Sequence, residues 1–287
     1  MCGFPIMHLD RHLKTLVQQE RRFVAMCEEY VRFAGTGIKE FDRRISRIIT
    51  PGTLIDESFL NPLDNNYLLA ISSPSTNTLT ESVGLAWIDV STGEFFSKHC
   101  TLESIPDELA RLAPRETVLD KGFQDLNGHP LFAMLGENGC LVSYTSALES
   151  SGTSQESSYS PVHAEELADN ELRTRAMTIQ ALIQTELVHE LDSMPAQESS
   201  AIKLLTKFLQ DNLLEHMPLL TPPRHEVEQE RMQIDAHTIQ GLEIRETSKE
   251  GSAKGSLLSV VKRTVTSGGA RLLARWLCAC FQPSLHE

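Results

Sequence analysis

Three groups of side chains have the residue types and spacing that could support chemistry. His8 and His12 stand four residues apart with Asp10 between them, so on a helix both imidazoles would project from one face and could clamp a metal ion. Asp89 ends an apolar run and could act as a strand-borne carboxylate that holds Mg²⁺ for phosphoryl transfer. A third set of side chains is basic and could neutralise phosphates: Lys39, Arg43, Arg44 and Arg47.

Each group also has a simpler interpretation. A histidine pair without a third ligand is more often a surface feature than a metal site. Asp89 precedes the turn sequence Ser91-Thr-Gly93, where Asp commonly bonds local backbone, and no second or third acid stands at a matching strand position. Basic runs are usually solvated faces. We therefore expect no catalytic, cofactor-binding or metal-binding residue, and only the basic cluster remains as a candidate for phosphate contact.

Sequence motifs for nucleotides and disulfides are absent. The chain has neither G-x-x-x-x-G-K-[ST] nor G-x-G-x-x-G, so no phosphate-binding loop is encoded. Its six cysteines are scattered without a C-x-x-C pair, which argues against a zinc site or a disulfide framework. The simplest interpretation is a reducing compartment.

Composition indicates a folded chain with more than one core. The 287 residues are 40% hydrophobic and 23% charged, and no stretch is apolar enough for a membrane helix. The net charge of −13 is unevenly distributed: residues 1–50 carry +3, residues 51–170 carry −14, residues 171–250 carry −6 and residues 251–287 carry +4. The net negative charge therefore comes mainly from the middle of the chain.

The first 50 residues predict a helix followed by two strands. Leu9, Leu13 and Val17 recur at helical spacing, which predicts an amphipathic helix. The apolar run from Phe23 to Cys27 predicts a buried strand, and a second strand-like stretch over residues 43–49 ends at Pro51-Gly52.

The next hundred residues predict an α/β layer. Short apolar runs at residues 67–71, 83–90 and 94–98 are separated by turn residues and predict three antiparallel strands. A helix over 105–112, a strand over 117–119, a helix over 130–135 and a strand over 140–144 complete the order βββαβαβ, with a mixed sheet. This order resembles the RNase H topology.

The last part of the chain predicts a linker followed by helices. Residues 145–164 are rich in Ser, Thr, Gly, Glu and Pro and predict a flexible linker or long loop. Helical spacing then recurs in several segments, which predict an all-helical C-terminal third: residues 164–191, 201–214, 232–244 and 257–277, the last interrupted near Ser267-Gly-Gly269.

Five collinear blocks carry a resemblance to a known family. The most specific is Arg47-Ile-Ile-Thr-Pro-Gly-Thr-Leu-Ile-Asp-Glu57, followed by Asn65-Asn-Tyr-Leu-Leu-Ala70. The others are Cys2-Gly-Phe-Pro5 with the run to Glu28, Gly84-Leu-Ala-Trp-Ile-Asp-Val-Ser-Thr-Gly-Glu94, Met232 to Glu243, and Arg263 to Leu277. Together they cover most of the chain, which resembles the MutS family of DNA mismatch repair proteins, and more narrowly a fungal mitochondrial-type homologue.

The resemblance implies a multidomain fold, α/β plus all-α. Residues 1–50 would be the C-terminal part of the mismatch-recognition domain, 51–144 an RNase H-like connector, 145–164 a linker or loop, and 165–287 a partial helical lever. In the family a Phe-x-Glu motif reads the mismatch, and no Phe in this chain has a Glu two residues on. Where the family has Trp-Leu-x-x-Pro, this chain has Trp276-Leu-Cys-Ala-Cys-Phe-Gln-Pro283. This departure suggests a truncated or mis-spliced gene.

The implied function is DNA mismatch repair, with this chain as an N-terminal fragment. The resemblance implies ATP and Mg²⁺ as cofactors only of the family's ATPase domain, none in this chain, and hence no enzyme activity here. The implied partners are mismatched double-stranded DNA, bound weakly or not at all by the fragment, a MutS-like dimer partner, and repair proteins that bind the connector. No membrane is implied, and a mitochondrial or nuclear location is expected, mitochondrial being favoured. Two alternatives remain, a stand-alone scaffold for repair partners and a metal-dependent nuclease using Asp89.

Overall fold

The structure is a computed structural model. It describes part of the chain, namely residues 3–33, 39–55, 65–74, 80–126, 128–137, 139–146, 194–218, 220–226, 232 and 234–279. The linker was expected over 145–164: Thr145 is the last residue of a strand, and residues 147–164 lie outside the described part, as does the expected helix over 164–191.

The N-terminal unit is a helical segment packed beside a two-stranded ribbon. A 3-10 turn at Ile6–His8 leads into helix α1, Leu9–Leu13, and a π-helical stretch at Lys14–Gln19. Strand β1, Val24–Phe33, pairs antiparallel with strand β2, Lys39–Ile49. The helix is where the apolar spacing predicts it, because its apolar side chains meet the ribbon in a small core: Leu13, Val17, Ile49 and Leu54.

The ribbon departs from the prediction of a buried strand. Residues 23–27 do lead into a strand, but Phe23 is 53% exposed and Cys27 is also exposed. The register shifts between Met26 and Cys27, which leaves Ser46 as an extra residue on β2. An isolated two-stranded ribbon has two faces, and only the one that meets the helical segment is covered.

The middle of the chain forms a six-stranded mixed sheet in the spatial order β7-β6-β3-β4-β5-β8. Antiparallel pairing joins β3 to β4 and β4 to β5, whereas β6 pairs parallel with β3, β7 with β6 and β8 with β5. The strands are β3 Tyr67–Ser72, β4 Ser82–Asp89, β5 Glu94–Thr101, β6 Glu116–Asp120, β7 Val142–Thr145 and β8 Arg224–His225.

Two helices follow the predicted positions between these strands. Helix α2 spans Ile105–Leu112 and α3 spans Pro130–Glu137, with short 3-10 turns at Leu102–Ser104 and Lys121–Asp125. Ala113 ends α2 with a left-handed backbone (φ 49°), so that Pro114 follows the helix rather than interrupting it. The order βββαβαβ is thus confirmed.

The sheet separates two cores because successive side chains of a strand point to opposite faces. Tyr67, Leu69 and Trp87 face the layer formed by α2 and α3. Leu68, Ala86 and others face helix α4, which spans Ala196–Leu213. The strands are therefore buried on both faces, which explains why they lack a strict polar alternation in the sequence.

The position of α4 differs from the prediction of a separate all-helical C-terminal third. Its apolar side chains, including Ile202 and Leu205, pack directly on the sheet. Close approach is possible at Gly84, where a Cβ atom would lie 2.0 Å from the backbone oxygen of Gln197. The short strand β8 then returns to the sheet edge beside β5. Helical periodicity shows an apolar face but does not say which element it meets, so the sequence could not assign α4 to the sheet.

Three short helices end the described chain: α5 Ala236–Gly241, α6 Leu257–Val261 and α7 Ser267–Cys278. The expected interruption near Ser267-Gly-Gly269 is the first turn of α7, because the Thr266 hydroxyl accepts from the Gly269 N–H as an N-cap. No helix in the described part of the chain is long and apolar enough to cross a membrane.

The contact at Gly84 yields a stability prediction. Gly84→Ala places a methyl group against backbone atoms of Gln197 and Glu198 that cannot rotate away, so we expect the free energy of unfolding to fall by about 1–3 kcal/mol or more. Urea denaturation measures the change. Gly136→Ala is the matched control, since its Cβ meets nothing within 4 Å and Ala favours a helix. Equal stability of the two variants would contradict the close packing of α4.

Candidate functional site

Asp89 is a buried turn residue and not an exposed metal ligand. Its side chain is fully buried, and Oδ1 accepts from the Ser91 N–H at 3.0 Å and the Ser91 hydroxyl at 2.6 Å. Oδ2 accepts from the Asn66 N–H at 3.1 Å. Local hydrogen bonds therefore occupy the carboxylate, as the simpler interpretation of Asp89 requires. No group of three or more His, Cys, Asp or Glu side chains within the described ranges could hold a metal ion.

The histidine pair of the first segment stands on different turns of helix. His8 ends the 3-10 turn, whereas His12 lies in α1 and its ring packs against Phe4 with centroids 4.6 Å apart. The described residues bring no third ligand to this pair. The aromatic contact gives His12 a packing role.

The basic cluster lies on β2, where strand alternation divides it between two faces. Arg43 donates to Glu29 of β1 at 2.9 and 2.7 Å, and both side chains are more than half exposed. Arg44 donates to Asp42 at 3.0 Å and its guanidinium lies 5.6 Å from the Tyr30 ring centroid. Both ion pairs are solvent-exposed and therefore weak.

Lys39 and Arg47 are the other two residues of the basic cluster. Lys39 is the first residue of β2, and its side chain lies outside the described part. Arg47 pairs with Met26 beside the register shift. Such weak surface pairs do not test the predicted phosphate contact, which stays a prediction for these residues.

The ribbon joins the central sheet at the turn Thr50-Pro-Gly-Thr53. The Thr50 N–H donates to the Thr53 hydroxyl at 2.9 Å, which closes the turn. Glu116, the first residue of β6, accepts from the Thr50 hydroxyl at 2.5 Å and from the Gly52 N–H at 2.9 Å through Oε2. Its Oε1 accepts from the Ser143 hydroxyl at 2.5 Å. One carboxylate thus connects the turn to β6 and β7.

Gly52 and Asn66 also belong to the junction between the ribbon and the sheet. A Cβ atom on Gly52 would lie 2.6 Å from Leu68 Cδ1 and 3.0 Å from Oε2 of Glu116, so only glycine allows the turn to approach the sheet. The Asn66 side-chain amide donates to the Pro51 carbonyl at 3.1 Å. Because the Asn66 N–H also binds Asp89, the two turns at this end of the sheet are connected.

Burial controls the acidity of Glu116. The side chain has no solvent exposure, and desolvation raises the pKa of Glu116 above its ordinary value of 4.5 although hydrogen bonds from Ser143, Thr50 and Gly52 partly offset the increase. No cation is among these causes. The junction depends on neutral donors around a buried carboxyl group.

A second joint connects the α/β layer to the C-terminal helices through α2. The Asp107 carboxylate accepts from the Ala236 N–H at the start of α5 at 2.8 Å. Arg245 donates to the Arg111 carbonyl and, at 3.2 Å, to Cys278 Sγ. Ile239, Ile244 and Cys278 pack together beside α2. The C-terminal helices are therefore attached to α2 by a helix cap, a half-buried guanidinium and a small apolar cluster.

An ionic network fixes α2 to the sheet. Glu108 accepts from Lys98 at 2.7 Å and from Arg111 at 2.9 and 2.6 Å, and Arg111 also pairs with Glu226 at 3.1 Å. The Arg111 guanidinium lies 5.3 Å from the Trp87 ring centroid. Burial alone would raise the pKa of Glu108, but Arg111 and Lys98 outweigh it and lower that pKa below 4.5.

The sequence did not identify the residues of these joints. Glu116 precedes the apolar strand residues Thr117-Val-Leu119, a position that usually faces solvent, and nothing in the sequence marks it as buried. The recognisable signal was the Thr50-Pro-Gly-Thr53 turn, which marked a strand end and part of the family resemblance but did not indicate its buried partner. A Gly that follows Pro at a strand end suggests close backbone approach, but the partner comes from 64 positions later in the chain.

Comparison with known families identifies the same order of segments. A family model of MutS domain I matches residues 1–58, MutS domain II matches residues 66–221, and MutS domain III matches residues 237–285. The second match includes α4 and ends before β8, and so includes the helix that packs on the sheet.

Curated relatives agree with this assignment. The DNA mismatch repair protein MutS of Rhodopseudomonas palustris (strain BisA53) is 32% identical over 282 residues, which are 97% of this chain and 28% of that protein. The MutS of Bartonella henselae is 32% identical over 284 residues, and that of Cereibacter sphaeroides is 34% identical over 281, with 97% and 96% of this chain covered and 28% of each relative. The chain thus spans less than a third of these relatives. They are bacterial and do not support a fungal mitochondrial-type protein or a mitochondrial or nuclear location.

The Glu116 junction yields a second stability prediction. Glu116→Ala leaves the Gly52 N–H and the Thr50 and Ser143 hydroxyls without their acceptor in a buried site, and each unpaired group costs about 1–3 kcal/mol. We expect the free energy of unfolding, from urea denaturation, to fall by about 3 kcal/mol or more. The exposed Glu137→Ala in α3 is the control and should lie within about 0.5 kcal/mol of the parent. If Glu116→Ala and Glu137→Ala lowered the free energy of unfolding by similarly small amounts, a structural role for Glu116 would be excluded.

The same carboxyl group predicts a pH dependence. Because its folded pKa is raised, its contribution to stability is fully present below the ordinary value of 4.5 and is lost as pH rises through the folded pKa. Glu116→Gln cannot titrate, so the stability of the parent relative to this variant should decrease as pH rises over that window. Urea midpoints measured from pH 4 upward test this. Parallel pH profiles would show that Glu116 does not titrate with a raised pKa.

Proposed function

Since this chain belongs to the MutS family of DNA mismatch repair proteins, we propose that it functions in mismatch repair as the N-terminal region of a mismatch-binding protein. The ordered matches to MutS domains I, II and III support this proposal most directly. The Thr50-Pro-Gly-Thr53 junction supports it independently, since it fixes the first unit to the sheet at the boundary between the first two matches. Mismatch binding is proposed for the longer protein, of which this chain spans 28% in its relatives.

The packing supports a particular division of the chain. We propose that residues 1–58 belong to the recognition domain, 66–221 to the connector and 237–285 to the lever, in place of the boundaries expected at 144 and 165. Helix α4 supports the longer connector because it covers one face of the sheet. The spatial order of the first five sheet strands, with the three antiparallel strands beside two parallel ones, supports an RNase H-like connector.

The ribbon is the proposed DNA-facing element. Arg43 and Arg44 lie on β2, exposed and paired to surface carboxylates, and Lys39 and Arg47 lie on the same strand. Such side chains fix the position of a duplex through its phosphates, whereas sequence or mismatch selection requires contacts to bases. The proposed role of this chain is therefore positioning.

We propose no site for ATP or Mg²⁺ in this chain. The sequence has no G-x-x-x-x-G-K-[ST] loop, and the described ranges contain no cluster of three candidate metal ligands. ATP hydrolysis is proposed only for longer family members. The alternative of a nuclease has no support at Asp89, whose carboxylate oxygens bind Ser91 and Asn66. No observation favours a stand-alone scaffold.

The partners are proposed from the family. Mismatched duplex DNA, a second MutS-like subunit and repair proteins that bind the connector would act with the longer protein. Two joints of the proposed connector support this, one to the ribbon through Glu116 and one to the C-terminal helices through α2. A connector with such joints would transmit a change at the DNA-facing unit to the helices.

A chimera tests the proposed function. The segment of the Rhodopseudomonas palustris MutS that matches this chain is replaced by residues 1–287, and mismatched-duplex binding and suppression of mutation in a strain without MutS are measured. We expect both to be retained in part. A chimera that folds yet binds matched and mismatched duplex equally would refute the assignment. The chimera with Glu116→Ala should lose function, whereas that with Gly136→Ala should not.

The basic strand yields a prediction in the same chimera. Arg43→Gln together with Arg44→Gln should weaken binding to matched and mismatched duplex by similar factors, because phosphate contacts are independent of sequence. The slope of log affinity against log salt concentration should fall by about 1 for each lost phosphate contact. Arg263→Gln, an exposed site preceding α7, is the control. An unchanged salt slope would remove β2 from the DNA interface.

A further inference from the structure

Side chains attach the short strand β8 to both faces of the sheet. Directly after β8, the Glu226 N–H donates to the Ser97 carbonyl of β5 at 2.8 Å. On one face the Glu226 carboxylate lies 3.1 Å from the Arg111 guanidinium of α2. On the other face His225 Nδ1 lies 2.8 Å from Glu198 Oε1 of α4. A strand of two residues is shorter than most, so its attachment depends strongly on these side chains.

The position of β8 in the chain gives this attachment its interest. β8 is the last strand before the chain passes to the C-terminal helices. It lies between the segments matched to MutS domain II, which ends at residue 221, and MutS domain III, which begins at residue 237. Release of β8 would therefore lengthen the free connection between the sheet and the C-terminal helices.

The contact between α4 and β8 contains a buried charge. The Glu198 side chain has no solvent exposure, whereas the His225 side chain is 43% exposed. Glu198 Oε2 is buried and has no hydrogen-bond partner among the residues that the structure describes. A buried carboxylate is costly unless a cation or several donors compensate its charge. One proton on the pair removes that cost, whether the imidazole or the carboxyl group carries it.

The elements around the pair carry these other charged or titratable side chains: His99 of β5, Lys203 of α4, and Arg224 and Glu226 on either side of His225. Arg224 and Glu226 project to the opposite face, because neighbours along a strand alternate. Lys203 is exposed. His99 is also exposed and stands two residues after Ser97, the partner of His225, so it shares the face of the pair. His225 is nevertheless the histidine that contacts Glu198.

We propose that β8 is a pH-sensitive clip, in which a proton held by Glu198 and His225 keeps the strand on the sheet edge and loss of that proton releases it. Free histidine changes charge at about pH 6.5, and the exposed part of the His225 ring can exchange its proton with solvent. Above this range the buried charge of Glu198 lacks a cation. The attached form binds the proton that the released form loses, so rising pH favours release.

Amide hydrogen exchange of the full 287-residue chain tests the clip. The Glu226 N–H bonds to Ser97, so its protection factor measures the attachment of β8. After correction for the intrinsic exchange rate, we expect this factor to fall about fivefold or more between about pH 5.5 and about pH 8, the difference between a charged and a neutral hydrogen bond.

Three variants separate the pair from its surroundings. His225→Gln should lower the protection of the Glu226 amide at acidic pH and remove the pH dependence. Glu198→Gln should also remove the pH dependence, because a buried amide has no charge for a cation to compensate. His99→Gln is the matched control, since it removes an exposed histidine from the same face, and it should keep the pH dependence of the parent.

The outcomes decide the proposal. A protection factor that does not change with pH in the parent overturns it, and so does equal pH dependence in the parent and His225→Gln. Loss of the pH dependence in His99→Gln would assign the effect to the wrong histidine and also contradict the clip. If Glu198→Gln does not fold, His225→Gln decides, because its site is partly exposed. None of these measurements depends on mismatch repair activity.

Discussion

A buried carboxyl group holds the N-terminal unit to the rest of the molecule. Glu116 stands at the start of β6 and accepts hydrogen bonds from the turn Thr50-Pro-Gly-Thr53 and from Ser143. The helix and ribbon before this turn form only a small core of their own, and two strands are marginally stable alone. The junction therefore contributes to their orientation, together with contacts between β2 and α4 and the hydrogen bond that Arg21 donates to the Gly139 carbonyl.

The second joint has different physical chemistry. Helix α2 is fixed to the sheet by Lys98, Arg111 and Glu108, and it caps α5 through Asp107. Ion pairs attach α2 to the sheet, whereas hydrogen bonds from neutral groups attach the ribbon to it. Because α2 contacts both the sheet and the C-terminal helices, a displacement of the sheet should also displace the C-terminal helices. A physical route from the ribbon to the helices thus passes through one sheet, with a hydrogen-bonded joint at one end and an ionic joint at the other.

The sequence predicted the elements better than their partners. The βββαβαβ order, α2 and the turn at Gly93 follow from local signals, namely apolar periodicity, a proline after a helix and a glycine with positive φ (74°). The placement of α4 on the sheet and the burial of Glu116 depend on residues distant in sequence, which periodicity does not show. The sequence did not predict the exposed face of the ribbon for the same reason. An apolar strand is predicted to be buried whether or not another element covers it. The contact between Asp89 and the Ser91 N–H is local, and an Asp before a Ser-Thr-Gly turn indicates such a contact.

Two buried glutamates, Glu116 on β6 and Glu108 on α2, have pKa shifts in opposite directions because their surroundings differ. Glu116 is surrounded by hydroxyls and an amide, so the cost of burying its charge exceeds what these donors return and its pKa is raised. Glu108 loses the same hydration, but two cations overcompensate and its pKa is lowered. Protonation favours the folded form at Glu116 and disfavours it at Glu108. As pH falls through the acidic range, the ribbon joint is strengthened while the α2 joint is weakened, so the two ends of the connector respond to acid in opposite ways.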